Sequence, residues 1–106
     1  MKLRQDEEDV ILHILKYWLD HWDFECPTLF GISESQMEQV VSLWPKGFRE
    51  NDKITAIAIA HGFGELLWGA SSVTSSKSMS VFNWPKSKIE SLYGKIENEL
   101  RKYRDE

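Results

Sequence analysis

The feature that most constrains this chain is the segment ITAIAIAHGFGELLW, from Ile54 to Trp68, which is apolar on nearly every side. A helix with this pattern is buried among other elements. A β-strand is the alternative for residues 54–59, because short apolar runs fit either periodicity. The length of the segment and its alanines favour a helix, capped at its start by Asn51 or Asp52.

Three amphipathic segments provide the neighbours that such a helix needs. Residues 6–22 place apolar side chains at helical spacing. A second helix starts at the capping box formed by Ser33 and Gln36 and stops before Pro45, since the residue before a proline disfavours the α region. A last helix starts around residues 84–85 and keeps one apolar face.

These segments predict an all-α fold, with residues 1–106 forming a single small domain of about four helices in two helix-loop-helix halves. An α+β fold with a short strand near 54–59 remains the alternative. Residues 71–80, SSVTSSKSMS, hold six serines and are predicted to form a Ser-rich mobile loop.

Two stretches of the sequence resemble each other at a spacing of 52 residues. TLFGISESQMEQV (28–40) aligns without gaps with SVFNWPKSKIESL (80–92), which matches Phe30 to Phe82 and Ile32 to Trp84. Either the chain contains a duplicated helix pair, or the same local pattern for starting a helix occurs twice in unrelated segments. Both interpretations agree with two helical halves.

Composition and charge restrict the class of protein. The 106 residues carry a net charge of −4, and residues 1–25 hold seven acids against three bases. The longest strongly apolar run is too short to span a bilayer, and the start of the chain, MKLRQDEED, lacks the apolar core of a signal peptide. We therefore expect a cytoplasmic protein without a membrane partner.

The stretch HWDFECPTLFG (21–31) gathers a histidine, two acids and the only cysteine, which raises the question of catalysis. Zinc sites use recurring Cys and His ligands, and a catalytic cysteine needs a nearby base; the spacing provides neither. Phosphate-binding and hydrolase motifs are also missing. We predict no enzyme, cofactor or metal, with a small enzyme using His61 and nearby acids as a weaker alternative.

Helix-turn-helix DNA binding is disfavoured by charge. A recognition helix carries basic and polar residues on its outer face, but the second helix, SESQMEQVVSLW, has acids and no bases. The last helix is basic, yet its lysines and arginines are mixed with glutamates. No nucleic-acid partner is expected.

Two segments, HWDFECPTLFGIS and GELLWGASSV, together with the small size, acidity and tryptophan content, resemble the immunity proteins of bacterial toxin systems, including those of contact-dependent growth inhibition. The resemblance implies binding and neutralisation of a cognate toxin domain. An acidic surface suits a basic nuclease, because charge complementarity speeds association. The alternative is a regulatory or phage-type inhibitor, which would bind its target by the same charge complementarity.

The residues expected to meet such a partner are the acids and aromatic residues around the end of the first helix, with two acids of the second helix: Asp20, Trp22, Asp23, Phe24, Glu25, Glu34 and Glu38. Aromatic side chains inside a polar rim are typical of interface hot spots.

Overall fold

The computed structural model describes residues 3–23, 25–50, 52–69 and 72–104. Within these ranges all regular structure is helical, in seven helices: α1 (Gln5–Asp20), α2 (Cys26–Phe30), α3 (Glu34–Leu43), α4 (Lys46–Arg49), α5 (Lys53–Trp68), α6 (Ser75–Phe82) and α7 (Lys86–Arg104). The predicted all-α class is confirmed. The strand considered for 54–59 is wrong, because those residues lie inside α5. None of the described helices has the length and apolarity needed to cross a bilayer.

Helix α5 is the centre of the domain and packs against α1, α3 and α7. Asp52 caps its start, with a carboxylate that accepts the Thr55 N–H at 2.9 Å, so one of the two expected caps is confirmed. Asn51 lies outside the described residues. Ala58, Ile59 and Leu66 are completely buried. The nearly all-apolar segment is therefore helical because neighbours cover it on several sides, as its pattern predicts.

The two halves of the chain have the same local plan. In each, a short helix ends on a buried phenylalanine, Phe30 in α2 and Phe82 in α6. The next residue adopts positive φ, 73° at Gly31 and 57° at Asn83. Its N–H donates to a carbonyl four residues back, at 2.9 Å and 3.0 Å respectively. The two similar stretches of sequence, 52 residues apart, thus correspond to two equivalent helix ends, each followed by a longer helix.

Three short helices, α2, α4 and α6, add to the four expected ones. The predicted loop at 71–80 is wrong from Ser75 onward, while 72–74 are non-helical and residue 71 lies outside the described residues. The Thr74 hydroxyl caps the start of α6 by accepting the Lys77 N–H at 3.1 Å. The buried Ser78 donates its hydroxyl to the Trp84 carbonyl at 2.7 Å, so this serine packs where a loop serine would be solvated.

Helices α1 and α3 run antiparallel. The indole N–H of Trp44, just after α3, donates to the carbonyl of Glu8 near the start of α1 at 3.1 Å. The end of α1 at Asp20 therefore lies at the same end of the domain as the start of α3 at Glu34. This arrangement decides where the predicted binding residues meet.

Two glutamates of the first turn of α1 are buried and paired with distant cations. Glu7 accepts the Lys95 ammonium of α7 through both oxygens at 2.9 Å. Glu8 accepts the Arg49 guanidinium of α4 through both oxygens at 3.1 Å. These pairs connect the first helix to α4 and to α7, and they neutralise the acids at this end of α1.

Candidate protein-binding surface

The stretch 21–31 is a structured corner between helices. His21 follows the last residue of α1, with its ring Nδ1 2.7 Å from the Tyr17 carbonyl. The Asp23 carboxylate accepts the Glu25 N–H at 2.9 Å. Pro27 then stands in the first turn of α2, where its missing N–H costs nothing. The corner is fixed by local hydrogen bonds, as the sequence indicated.

Aromatic residues at this corner belong mostly to the core. Trp18 is buried, and its indole N–H donates to the Gly62 carbonyl at 2.9 Å. Trp22 is half-buried, with its ring edge-on to Phe30 at 5.4 Å between centroids. Phe24, the other aromatic residue expected to bind a partner, lies outside the described residues. Only part of the Trp22 ring is available as a surface contact.

The five acids predicted to bind a partner are all exposed: Asp20, Asp23, Glu25, Glu34 and Glu38. None of them forms an ion pair with a residue that the structure describes. The antiparallel arrangement of α1 and α3 brings the first four to one end of the domain. Glu38 lies one turn further along α3 than Glu34. We call the surface formed by these five residues the acidic end.

Charge is segregated more sharply than the net value of −4 suggests. Residues 17–45 contain the five acids of the acidic end, while all 13 lysines and arginines lie outside this segment. At the other end of α1, Glu7 and Glu8 are paired with Lys95 and Arg49. Lys77 of α6 reaches the C-terminal end of α1 from outside the segment, with its ammonium 5.8 Å from the centre of the Tyr17 ring. The five carboxylates of the acidic end outnumber this cation, so the surface can attract a positively charged partner.

Cys26 shows no sign of an activated nucleophile. Its side chain is buried, and that burial raises the pKa of the thiol, with the Asp23 carboxylate also disfavouring a thiolate. The reactive form of cysteine is the thiolate, so the environment opposes reactivity. His61 lies within α5 and is half-buried. The described residues contain no group of three or more His, Cys, Asp and Glu side chains arranged to hold a metal ion.

Two surface features were not foreseen from the sequence. Trp68, the last residue of α5, is 63% exposed and contacts Tyr93, with 5.6 Å between ring centroids. Leu43, the last residue of α3, is 47% exposed beside a groove. The burial predicted for the whole segment 54–68 fails at its last residue, because the neighbouring helices do not cover Trp68. The sequence pattern makes no specific prediction for Leu43.

The chain was compared with protein-family models, with curated proteins and with solved structures, and none of them matched.

Proposed function

We propose that this protein is an immunity protein that acts in the bacterial cytoplasm and neutralises a cognate toxin domain by binding it. The observation that supports the proposal most is the acidic end, where five exposed carboxylates form no ion pair with a described residue and lie in a segment without lysine or arginine. A nuclease domain carries a basic surface to hold phosphates. The two surfaces would attract each other over several ångströms before contact.

The proposed mechanism is capture by binding, without catalysis. The structured corner and the capped start of α3 hold the carboxylates on a folded surface, so little ordering free energy would be lost on binding. The electrostatic attraction between the acidic end and a basic toxin surface acts mainly on the association rate. A fast association suits neutralisation, because the toxin must be bound before it reaches its substrate.

The test is growth rescue. Where the gene directly upstream encodes a toxin-bearing protein, its toxin domain is induced in a bacterial host with and without the chain. The proposal expects colony formation to return when the chain is co-expressed, and a stable complex to form with a catalytically inactive toxin variant. Equal killing with and without the chain, at verified expression of both proteins, would overturn it.

A control isolates the role of the acidic end. The double variant Asp23→Asn/Glu25→Gln removes two charges but keeps an oxygen at position 23 to accept the Glu25 N–H. The matched double variant Asp9→Asn/Glu90→Gln removes two exposed charges elsewhere on the domain. Because both change the net charge equally, only a local effect of the acidic end separates them.

A regulatory or phage-type inhibitor would use the same surface in the same way. The upstream gene distinguishes the two functions: rescue from its toxin domain supports immunity. Binding to another basic protein without such rescue supports the inhibitor.

A further inference from the structure

A groove lies between α3 and the start of α5, beside α4. Its apolar lining comes from Val40, Leu43 and Ile54. Val40 is buried at the floor, Ile54 is half-buried, and Leu43 leaves nearly half of its surface in solvent. Leu43 is one of four large apolar side chains that the described residues expose to this degree. In this groove, the exposed part of Leu43 lies next to the apolar side chains of Val40 and Ile54.

The size of the groove limits its occupant. Its volume is about 220 Å³, while pockets for small molecules and cofactors have about 300–1,000 Å³. It is also open along one side, so it would cover only part of such a ligand. A single aliphatic side chain from another protein fits this space and would cover the exposed part of Leu43.

The charges on the rim of the groove determine which residues of a partner are favoured next to that side chain. Glu50 and Asp52 are exposed carboxylates on the rim, against one cation, Lys46. Asp52 uses one oxygen for both of its bonds to Thr55, the N–H and the hydroxyl. The rim is therefore net negative and favours a segment with lysine or arginine on either side of the inserted residue.

We infer that this groove is the apolar anchor site for a basic segment of the partner protein, which inserts one aliphatic side chain against Leu43. The inference rests on the proposed function for the identity of the partner and adds a second contact point to the acidic end. Leu43 follows Glu34 by nine positions in α3, which is about 14 Å along the helix. A partner that buries about 800 Å² on this protein can reach both.

The direct experiment uses peptides and needs no toxin. The isotope-labelled chain is titrated with acetyl-Lys-Arg-Leu-Arg-Lys-amide and with the same peptide carrying serine instead of leucine, followed by amide chemical shifts. We expect saturable shifts at Leu43, Gly47 and Ile54 and about tenfold tighter binding of the leucine peptide, the gain from burying most of one leucine. Equal affinities, or shifts confined to 20–38, would overturn the inference.

The substitution Leu43→Lys provides a second test of the groove. It places a charge in the groove at a half-exposed position and should weaken leucine-peptide binding about tenfold. Leu29→Lys is the matched control, since Leu29 is 45% exposed and lies on α2, away from the groove. If Leu43→Lys does not keep the wild-type spectrum, Leu43→Gln replaces it. Unchanged binding by the Leu43 variant would contradict the assignment.

The same variants separate the groove from the proposed function. If the toxin domain is neutralised and bound equally by wild type and Leu43→Lys, the groove is not part of the interface, and the immunity function still holds. If the leucine peptide binds as expected and growth rescue fails, the groove is a receptor for a different basic protein. In that case the proposed function is wrong and the groove assignment stands.

Discussion

Removing the ammonium of Lys95 should show how much the Glu7–Lys95 pair contributes to stability. In Lys95→Met the aliphatic stem stays while the cation that contacts both Glu7 oxygens at 2.9 Å is lost. Breaking a fully buried ion pair costs about 3–5 kcal/mol, and an exposed pair is worth about 1 kcal/mol or less. The Glu7 side chain is 6% exposed and that of Lys95 is 44% exposed. This intermediate burial, with the Arg4 N–H still bonded to Glu7, leads us to expect a loss of about 1–2 kcal/mol.

Urea unfolding measures this loss as a lower midpoint at an unchanged slope, and the melting temperature should fall by about 5–10 °C. Lys102→Met is the matched control, because Lys102 is an exposed lysine of the same helix that reaches Glu99 only at 3.5 Å. It should change the free energy of unfolding by less than about 0.5 kcal/mol. If Lys95→Met is no more destabilising than Lys102→Met, the pair does not hold α1 to α7 and the reasoning is refuted.

The pH dependence gives an independent check on the same pair. Burial alone would raise the pKa of Glu7, but the Arg4 N–H and the Lys95 ammonium outweigh it and hold the pKa below its ordinary value of 4.5. The contribution to stability is therefore present above about pH 4.5 and is lost as the pH falls through the folded-state pKa. The stability difference between wild type and Lys95→Met should shrink over that range. A difference that stays constant down to pH 2.5 would exclude a charged Glu7 as its cause.

Three further substitutions test local structure by urea unfolding. Gly47→Ala should destabilise by about 1–3 kcal/mol, because a Cβ there would collide with the buried Thr55 hydroxyl; wild-type stability would contradict the close approach of α4 to α5. Gly94→Ala should instead stabilise by about 0.5–1 kcal/mol, since a Cβ at this mid-helix position meets open space, and a loss of stability would argue against a regular α7. Thr74→Ala should cost about 1 kcal/mol and reduce the hydrogen-exchange protection of α6; unchanged protection would mean that the cap does not hold this helix.

Much of the helical framework could be predicted because its signals are local. The capping box at Ser33 and Gln36 is present as expected, with the Gln36 N–H donating to the Ser33 hydroxyl at 3.1 Å and the Gln36 side chain accepting the Ser33 N–H at 2.8 Å. The buried helix α5 was predictable from the length of its apolar segment and from the apolar residues on nearly all its sides. Helix α6 was missed because six serines in ten residues suggest solvation, whereas its cap and the burial of Phe82 decide the structure.

The two similar stretches, 52 residues apart, each contain a helix-ending signal. Phe30-Gly31 and Phe82-Asn83 each end a short helix with a positive-φ residue. Glycine and asparagine are the residues that favour this C-terminal cap, so the aligned pair marks the ends of both α2 and α6.

The carboxylates of the acidic end were predictable as exposed acids, but their arrangement was not. Asp20 and Glu34 come together because α1 and α3 are antiparallel, which the sequence does not specify. The pairing of Glu7 with Lys95 joins residues 88 positions apart, and no spacing rule reaches that far. These long-range contacts determine which acids remain unpaired, and therefore where the negative surface lies.

The most direct test of the proposed interface uses a catalytically inactive variant of the toxin domain from the growth test, and measures its association rate with the chain by stopped flow at low and at physiological salt. We predict that Asp23→Asn/Glu25→Gln slows association at least severalfold at low salt, that salt reduces this difference, and that Asp9→Asn/Glu90→Gln stays close to wild type. Equal rates for both double variants at low salt would contradict the claim that the acidic end receives the toxin.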